Sequence, residues 1–240
     1  MNAPALPLVS VVVPFYNCPY VDHNINSILR QDYSHIEIIV VDDGSTQFFE
    51  RLQPFYSRIR LIRKPNGGTA SALNAGIRAA RGEYIAWLSS DDMMAESKIS
   101  RQTAFMLERQ ALLSFTDFHL IDQNNGFAGF HMTAKFSLAR EFVEAFLHYC
   151  PINGSTVMMH RSLPGLIGLF NESLICVHDY DYWLRALLAR IDIHYLNEPL
   201  TYYRWHSGMG TIRKRERADR EFEQVRNLYA PHIRALLSLL

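Results

Sequence analysis

Four short apolar runs, separated by segments of helical character, constrain the fold of the first half of the chain. The runs span residues 9–13, 36–41, 59–62 and 84–88. The first two, VSVVV and IEIIVV, are continuous and rich in β-branched residues, which is typical of strands covered on both faces. Helices are predicted between the runs at residues 21–31 and 47–56, and a turn at residues 66–68 opens a third helix that ends at about residue 81. This alternation predicts an α/β fold with a doubly wound, mainly parallel central sheet flanked by helices.

The second half of the chain has a more mixed pattern. Helical spacing occurs at residues 97–109, 138–149, 180–190 and 213–229. Extended segments are predicted at residues 112–118, 155–160 and 199–205, with a loop at 123–129. No repeat of fixed period and no linker separates the two halves. Residues 1–240 are therefore predicted to form one domain with a larger and a smaller lobe.

Charge and cysteine content exclude several classes of protein. The 24 basic and 24 acidic side chains balance, which argues against a nucleic-acid partner. Cys18, Cys150 and Cys176 are widely spaced and form no CxxC pair, so neither a disulfide framework nor a zinc site is expected. The first residues have no signal-peptide pattern, and no apolar run reaches 18 residues. These features predict a cytoplasmic protein.

Polar or glycine-rich residues follow each of the four strands of the first half. They are PFYN at 14–17, DDGS at 42–45, PNGG at 65–68 and SSDD at 89–92. In an open parallel sheet, ligands bind at the carboxyl ends of the strands. The four groups should therefore converge on one edge.

Each group taken alone has a purely structural explanation. Tyr16 could be an ordinary loop aromatic, and residues 42–45 could form a turn with a helix cap. Residues 66–68 could be a plain turn. The adjacent Asp91 and Asp92 could begin a helix, where the helix dipole favours acidic side chains.

A ligand site explains the four groups together. Tyr16 offers a ring face and Asp43 a hydrogen-bond acceptor, which is what a nucleobase requires. The glycines let a sugar hydroxyl or a diphosphate approach the backbone. Two aspartates would repel a diphosphate unless Mg²⁺ or Mn²⁺ lay between them, since both ions prefer carboxylate and phosphate oxygens.

Seven segments in this order resemble family 2 glycosyltransferases, which have the nucleotide-diphospho-sugar fold called GT-A. The segments are VSVVVPFYNC, SILRQDYSHIEIIVVDDGST, NGGTASALNAGI, ARGEYIAWLSSDDMM, GLIGLFNESL, HDYDYWLRA and EPLTYYRWHSG. The resemblance runs from about residue 8 to residue 211. It implies a nucleotide-sugar-binding half at 8–92, an acceptor-side half at 93–211 and a C-terminal helical tail at 212–240. The absence of GxGxxG and GxxxxGK[ST] argues against dinucleotide and P-loop sites.

The resemblance also implies roles for individual residues. Asp179 stands at the position of the catalytic base, and Asp92 at that of the direct metal ligand. His206, in a glycine-containing loop, would reach the metal or the diphosphate. The nucleotide-sugar donor would contact Pro14, Phe15, Tyr16, Asp43, Asn66, Gly67, Gly68, Asn74 and Asp91.

The chain departs from the family pattern at three positions. Ser89 replaces an aspartate, His178 replaces a glutamate and Leu73 replaces an arginine. Ser89 motivates an alternative, a nucleotide-sugar-binding module without catalysis. Asp181 also remains a candidate base, because Asp179 and Asp181 both lie near a predicted helix start and either could cap it.

The expected activity is metal-dependent transfer of a sugar, with inversion, from a nucleotide-diphospho-sugar such as a UDP-sugar. The acceptor would be a saccharide or a lipid-linked molecule in surface polysaccharide, lipopolysaccharide or glycolipid synthesis. The charged residues 212–220 and the apolar end IRALLSLL have three explanations. They could form a solvated helix packed on its own domain, contact a partner subunit of a homo-oligomer, or contact the inner face of a membrane.

Overall fold

The computed structural model describes residues 6–240, which form one mixed sheet flanked by helices. Its strands are β1 (Val9–Phe15), β2 (Ile36–Asp42), β3 (Arg60–Arg63), β4 (Tyr84–Trp87), β5 (Met93–Met94), β6 (Leu113–Ile121), β7 (Phe127–Gly129), β8 (Met158–His160) and β9 (Ile193–Arg204). The strand order is β3-β2-β1-β4-β8-β6-β9-β5, and β7 pairs with β6. The predicted α/β architecture is confirmed.

Strand direction changes between the two halves of the sheet. Strands β3, β2, β1 and β4 are parallel, as predicted from the alternation of strands and helices. Strand β8 then runs antiparallel to both β4 and β6, while β9 is parallel to β6. The parallel part carries the four predicted polar strand ends at one edge.

The helices lie on both faces of the sheet. They are α1 (Val21–Leu29), α2 (Thr69–Ala79), α3 (Lys98–Arg109), α4 (Ala139–Ala145), α5 (Leu163–Ile167), α6 (His178–Leu188), α7 (Gly210–Arg213) and α8 (Arg215–Leu237). Val11 and Val13 of β1 pack on one face with Ile25, and Val12 packs on the other face with Leu73. Burial on both faces explains the continuous apolar runs.

Several predicted elements differ in detail. Residues 47–56 form a 3₁₀ helix over Phe49–Phe55, which contains Pro54. The predicted loop at 123–129 contains β7. The predicted strand at 155–160 begins only at Met158, because Gly154–Thr156 form a 3₁₀ turn.

Helix α8 extends beyond its predicted end and packs on the domain. Ile233, Leu236 and Leu237 are buried in the same cluster as Tyr180 and Trp183 of α6. This part of the tail therefore packs on its own domain, which is one of the three predicted possibilities. Within residues 6–240, we find no helix with the length and apolar character needed to cross a membrane.

Candidate functional site

The ends of β1, β2 and β3 contact one another directly. Oδ1 of Asn17, just after β1, accepts hydrogen bonds from the Thr46 and Gln47 amides at 2.8 and 2.9 Å. Asp43, just after β2, accepts hydrogen bonds from the Gly67 and Gly68 amides of the loop after β3. The loops that follow these three strands therefore lie together at one edge of the sheet.

The end of β4 joins the same edge through helix α1. The side-chain amide of Asn24 donates to the carbonyls of Ser89 and Asp92 at 2.8 and 2.9 Å. The ring of His178, at the start of α6, lies 5.8 Å from that of Trp87, the last residue of β4. The first turn of α6, with Asp179, is thus held beside the acidic pair's strand.

Only Tyr16, among the three residues predicted to line a base pocket, presents its ring to solvent. Its side chain is 52% exposed, whereas Phe15 is fully buried. Pro14 is also buried and pairs with Val41 in the β1–β2 ladder. The prediction that Pro14 and Phe15 line the pocket is not supported, because β1 is covered on both faces.

Asp43 closes the loop after β3 instead of facing solvent. It is 3% exposed, and its Oδ1 lies 2.6 Å from Nζ of Lys64. Its Oδ2 accepts the Gly68 amide at 2.7 Å, and the Asn66 side chain donates to its carbonyl at 3.0 Å. Gly68 has a φ of +87°, which favours glycine. A contact between Asp43 and a base or ribose would compete with these bonds.

Asn74 holds a distant loop in place. Its Nδ2 donates to the Phe170 carbonyl at 2.9 Å and to Oε1 of Glu172 at 2.8 Å. Its Oδ1 accepts the Phe170 amide at 2.9 Å, and the residue is 1% exposed. Asn74 therefore fixes residues 170–172, and its predicted contact with the donor stays a prediction.

Asp92 is buried, and both of its carboxylate oxygens are hydrogen-bonded. Oδ2 accepts the Ser155 hydroxyl at 2.5 Å, and Oδ1 accepts the Arg204 amide at 2.8 Å. Burial, with the nearby negative charge of Asp91, raises the pKa of Asp92 well above its usual range. A metal ion at Asp92 would have to share the carboxylate with these two donors, so its role as the direct metal ligand stays a prediction.

Asp91 is the member of the pair that reaches the surface. Its side chain is 25% exposed, and its Oδ2 lies 3.1 Å from Nε2 of His206. The ring of His206 also packs edge-on against Tyr20, with centroids 5.0 Å apart. His206 therefore pairs with Asp91, and its predicted contact with the metal or the diphosphate stays a prediction. Among the described residues, no group of three or more His, Cys, Asp or Glu side chains is arranged to hold a metal ion.

Arg204 is a site residue whose role sequence reasoning missed. It is fully buried, and its Nε donates to the Asp91 carbonyl at 2.8 Å. Its Nη1 donates to the Asp122 carbonyl at 2.9 Å, and its guanidinium lies 4.5 Å from the centre of the Tyr20 ring. The sequence gives Arg204 as a neighbour of His206, but only the fold brings it to Asp91, 113 residues away.

The two candidate bases have different surroundings in the first turn of α6. Both oxygens of Asp181 are used, by Nε of Arg185 at 2.9 Å and by the Tyr229 hydroxyl at 3.1 Å. Asp179 accepts the Tyr180 amide at 2.8 Å through Oδ1, and burial raises the pKa of its carboxyl. Asp181 therefore joins α6 to α8, whereas Asp179 has no such link to α8 among the hydrogen bonds described.

Comparison with known proteins covers most of the chain. The profile of the family described as Glycosyl transferase family 2 matches residues 10–164. An uncharacterized glycosyltransferase of Rickettsia prowazekii is 34% identical over 236 residues, which cover 96% of this chain and 73% of that protein. WfaP of Escherichia coli is 34% identical over 214 residues, covering 86% of this chain and 81% of that protein. It is named a UDP-Glc:alpha-D-GlcNAc-diphosphoundecaprenol beta-1,3-glucosyltransferase.

Other relatives differ in length. TuaG of Bacillus subtilis, named a putative teichuronic acid biosynthesis glycosyltransferase, is 33% identical over 82% of this chain and 79% of its own. The chain spans 66% of a Rickettsia typhi relative, which is 36% identical, and 31% to 35% of relatives from three other Rickettsia species.

Solved structures confirm the GT-A fold. Residues 1–349 of S. aureus TarS in complex with UDP-GlcNAc match with a TM-score of 0.69 at 22% identity. The match covers 84% of this chain and 60% of the TarS chain. The family match over residues 10–164 and the identities of 33% to 36% to glycosyltransferases lead to one assignment. This chain belongs to glycosyl transferase family 2 and is a glycosyltransferase.

Proposed function

We propose that this enzyme transfers a sugar from a UDP-sugar to an acceptor hydroxyl with inversion, in a reaction that depends on Mg²⁺ or Mn²⁺. The observation that carries the proposal is the pairing of Asp91 with His206 at this edge, beside β4, whose Trp87 packs against His178 in the helical turn that contains Asp179. Asp91 and His206 would face the donor diphosphate, and Asp179 would face the acceptor hydroxyl.

Asp91 and His206 would hold the metal, and we assign Asp91 the role that the family resemblance implies for Asp92. Mg²⁺ sites in enzymes that act on nucleotides use one or two protein carboxylates and complete the shell with phosphate oxygens and water. Mn²⁺ accepts an imidazole nitrogen as well. A bound cation would offset the negative charge that develops on the leaving diphosphate.

Asp179 would take the proton from the acceptor hydroxyl. A carboxylate with a raised pKa is a stronger base, and burial raises the pKa of Asp179. The deprotonated oxygen would attack the anomeric carbon from the face opposite the diphosphate. The bond to the acceptor oxygen forms as the bond to the diphosphate oxygen breaks, so a single displacement inverts the anomeric centre.

Tyr16 and the loop after β3 would bind the nucleotide. The exposed ring of Tyr16 offers a face for stacking on a base, and Gly67 and Gly68 allow the backbone to approach the ligand closely. UDP is favoured because WfaP is named for UDP-Glc and TarS binds UDP-GlcNAc. Asp43 and Asn66 would fix the conformation of this loop through their hydrogen bonds.

The acceptor is proposed from the named relatives. WfaP is named for a diphosphoundecaprenol-linked GlcNAc and TuaG for teichuronic acid biosynthesis. A saccharide or lipid-linked acceptor in surface polysaccharide synthesis is therefore the best supported class. Such an acceptor would place the enzyme in the cytoplasm, at the inner face of the membrane.

A panel of UDP-sugars tests the proposal without knowledge of the acceptor. Binding and slow hydrolysis of each labelled UDP-sugar are measured with Mn²⁺ or Mg²⁺, and again with EDTA. We expect metal-dependent hydrolysis that Asp179→Asn abolishes while UDP binding persists. Asp219→Asn is the matched control, because Asp219 is a largely exposed aspartate on α8. Binding of a UDP-sugar by the wild type with no hydrolysis of any member of the panel, in the presence of metal, would instead support the binding-module alternative.

A further inference from the structure

Lys98, the first residue of α3, is a fully buried lysine bonded to neutral groups. Its Nζ donates to Oε1 of Gln102 at 2.9 Å and to the Thr156 carbonyl at 3.1 Å. Burial lowers the pKa of Lys98 to about 7. Burying an ammonium group without a charged partner is unfavourable, so this lysine is an unusual choice for a position that only fills the interior.

The carbonyl of Thr156 receives two side-chain donors from α3. Nε2 of Gln102 donates to the same oxygen at 3.0 Å and to the Ser114 hydroxyl at 3.0 Å. Thr156 ends the 3₁₀ turn Gly154–Thr156. Lys98 and Gln102 therefore anchor this turn to α3 and β6.

The other side of the same turn is tightly packed. A Cβ atom on Gly154 would lie 2.2 Å from the ring of Trp87, so the backbone is packed directly against β4. Oγ of Ser155 accepts the Ser89 amide at 3.0 Å and donates to Oδ2 of Asp92 at 2.5 Å. The Ser155 hydroxyl thus fixes both ends of the SSDD loop.

Asp92 passes this constraint to the exposed part of the site. Its Oδ1 holds the Arg204 amide, and the Arg204 side chain holds the Asp91 carbonyl. Arg204 and His206 lie two residues apart, and His206 pairs with Asp91. Hydrogen bonds, together with the backbone links from Thr156 to Ser155 and from Arg204 to His206, therefore connect Lys98 to the Asp91–His206 pair.

We propose that Lys98 is a positioning residue for the Asp91–His206 pair. It fixes the 3₁₀ turn whose Ser155 hydroxyl orients Asp92, and Asp92 fixes Asp91 and His206 through Arg204. Its effect on donor binding rests on the proposed function, but its effect on the loop does not. Lysine provides a donor at the end of a long apolar stem, which methionine of similar length lacks.

Amide hydrogen exchange tests the proposal in the protein alone, without UDP or metal. In Lys98→Met, the Ser89 and Arg204 amides should exchange about tenfold faster relative to the Lys64 amide, the change expected for loss of about one buried hydrogen bond. The Lys64 amide bonds to the Asp42 carbonyl at 2.9 Å, outside this series. Gln102→Met removes the second donor to Thr156 and should act in the same direction, so it serves if Lys98→Met does not fold.

Met106→Ala is the matched control for general destabilisation. Met106 is fully buried on the same helix but packs in an apolar cluster. Its loss should lower the melting temperature without a selective change at Ser89 and Arg204. Equal acceleration of all three amides in Lys98→Met would overturn the proposal.

Titration with UDP and Mn²⁺ then tests the effect on the site. Lys98→Met and Ser155→Ala should each weaken binding about tenfold. The double variant should bind no more weakly than Ser155→Ala, because groups in one series are not additive. Additive losses would show that Lys98 does not act through Ser155. A wild-type protein that fails to bind UDP would count against the proposed function, while the exchange result would still decide the role of Lys98.

Discussion

Asp91 and His206 lie 115 residues apart in the chain, yet Oδ2 of Asp91 is 3.1 Å from Nε2 of His206. Asp92, the adjacent residue, is turned inward onto Ser155 and the Arg204 amide. The two aspartates therefore have different environments, and their variants should have different effects.

Asp91→Asn should abolish metal-dependent activity with little loss of stability. Asp91 is partly exposed, so its replacement leaves no buried group without a partner. We expect kcat/KM for hydrolysis or transfer to fall at least about 100-fold, which corresponds to roughly 3 kcal/mol of transition-state stabilisation. Steady-state kinetics and a thermal melt measure the two quantities. Activity close to that of Asp219→Asn would remove Asp91 from the site.

Asp92→Asn should mainly destabilise the fold. The Ser155 hydroxyl and the Arg204 amide both donate to Asp92, and the side-chain NH₂ of asparagine would face one of these donors. An unsatisfied buried group costs about 1–3 kcal/mol. Urea unfolding measures this loss. If the variant is as stable as the wild type but binds no Mn²⁺, then Asp92 is the direct ligand, as the sequence predicts.

Asp179→Asn and Asp181→Asn should separate chemistry from structure. Asp179→Asn should keep UDP affinity and lose turnover, because the amide cannot accept the proton. Asp181→Asn should instead lower the free energy of unfolding by about 2 kcal/mol, since it weakens the bonds to Arg185 and Tyr229. Turnover is measured where both variants are folded. A larger loss of kcat in Asp181→Asn would reverse the assignment of the base.

Tyr16→Ala should weaken UDP binding while Tyr16→Phe should not. Stacking of a base on an aromatic side chain contributes about 1–3 kcal/mol, and phenylalanine keeps the ring. Isothermal titration calorimetry with UDP gives the dissociation constants. Equal affinities for all three proteins would show that the exposed ring does not contact the base.

Stability should rise between pH 7 and pH 9 more steeply in the wild type than in Lys98→Met. The pKa of Lys98 is about 7 in the folded protein, below its usual 10.5. Below pH 7 both states carry the proton and the full penalty of burial applies. As the pH rises, the folded protein releases the proton while the unfolded chain keeps it, so the penalty decreases. The difference should be on the order of 2 kcal/mol by urea unfolding, and parallel pH profiles would contradict it.

The sequence predicts the parallel half of the sheet well because its signals are local. Apolar runs such as residues 9–13 report burial directly, and polar strand ends report the edge where loops meet. The reversed direction of β8 depends on contacts between distant segments, for which no local pattern exists. Helix α8 continues past residue 229, its predicted end, because Ile233 and Leu236 pack in a buried cluster with α6. The local sequence does not show this contact.

Within the site, residue type was easier to predict than orientation. The acidic pair is visible in the sequence, but which aspartate faces outward is set by Ser155 and Arg204, which lie 63 and 112 residues from Asp92. Asp179 and Asp181 can be told apart only by the hydrogen bonds that Asp181 makes to Arg185 and Tyr229. Side-chain direction in these cases follows from partners that only the folded chain brings together.

The three hydrogen bonds between Asn74 and residues 170–172 bear on the engineering of new specificities. Asn74 belongs to the predicted donor half and Phe170 to the predicted acceptor half. A chimaera that joins the first half of this enzyme to the second half of a relative must therefore import a matching pair at these positions. Recombination points chosen between them would leave a buried amide without partners, which makes this contact a criterion for designing hybrid transferases.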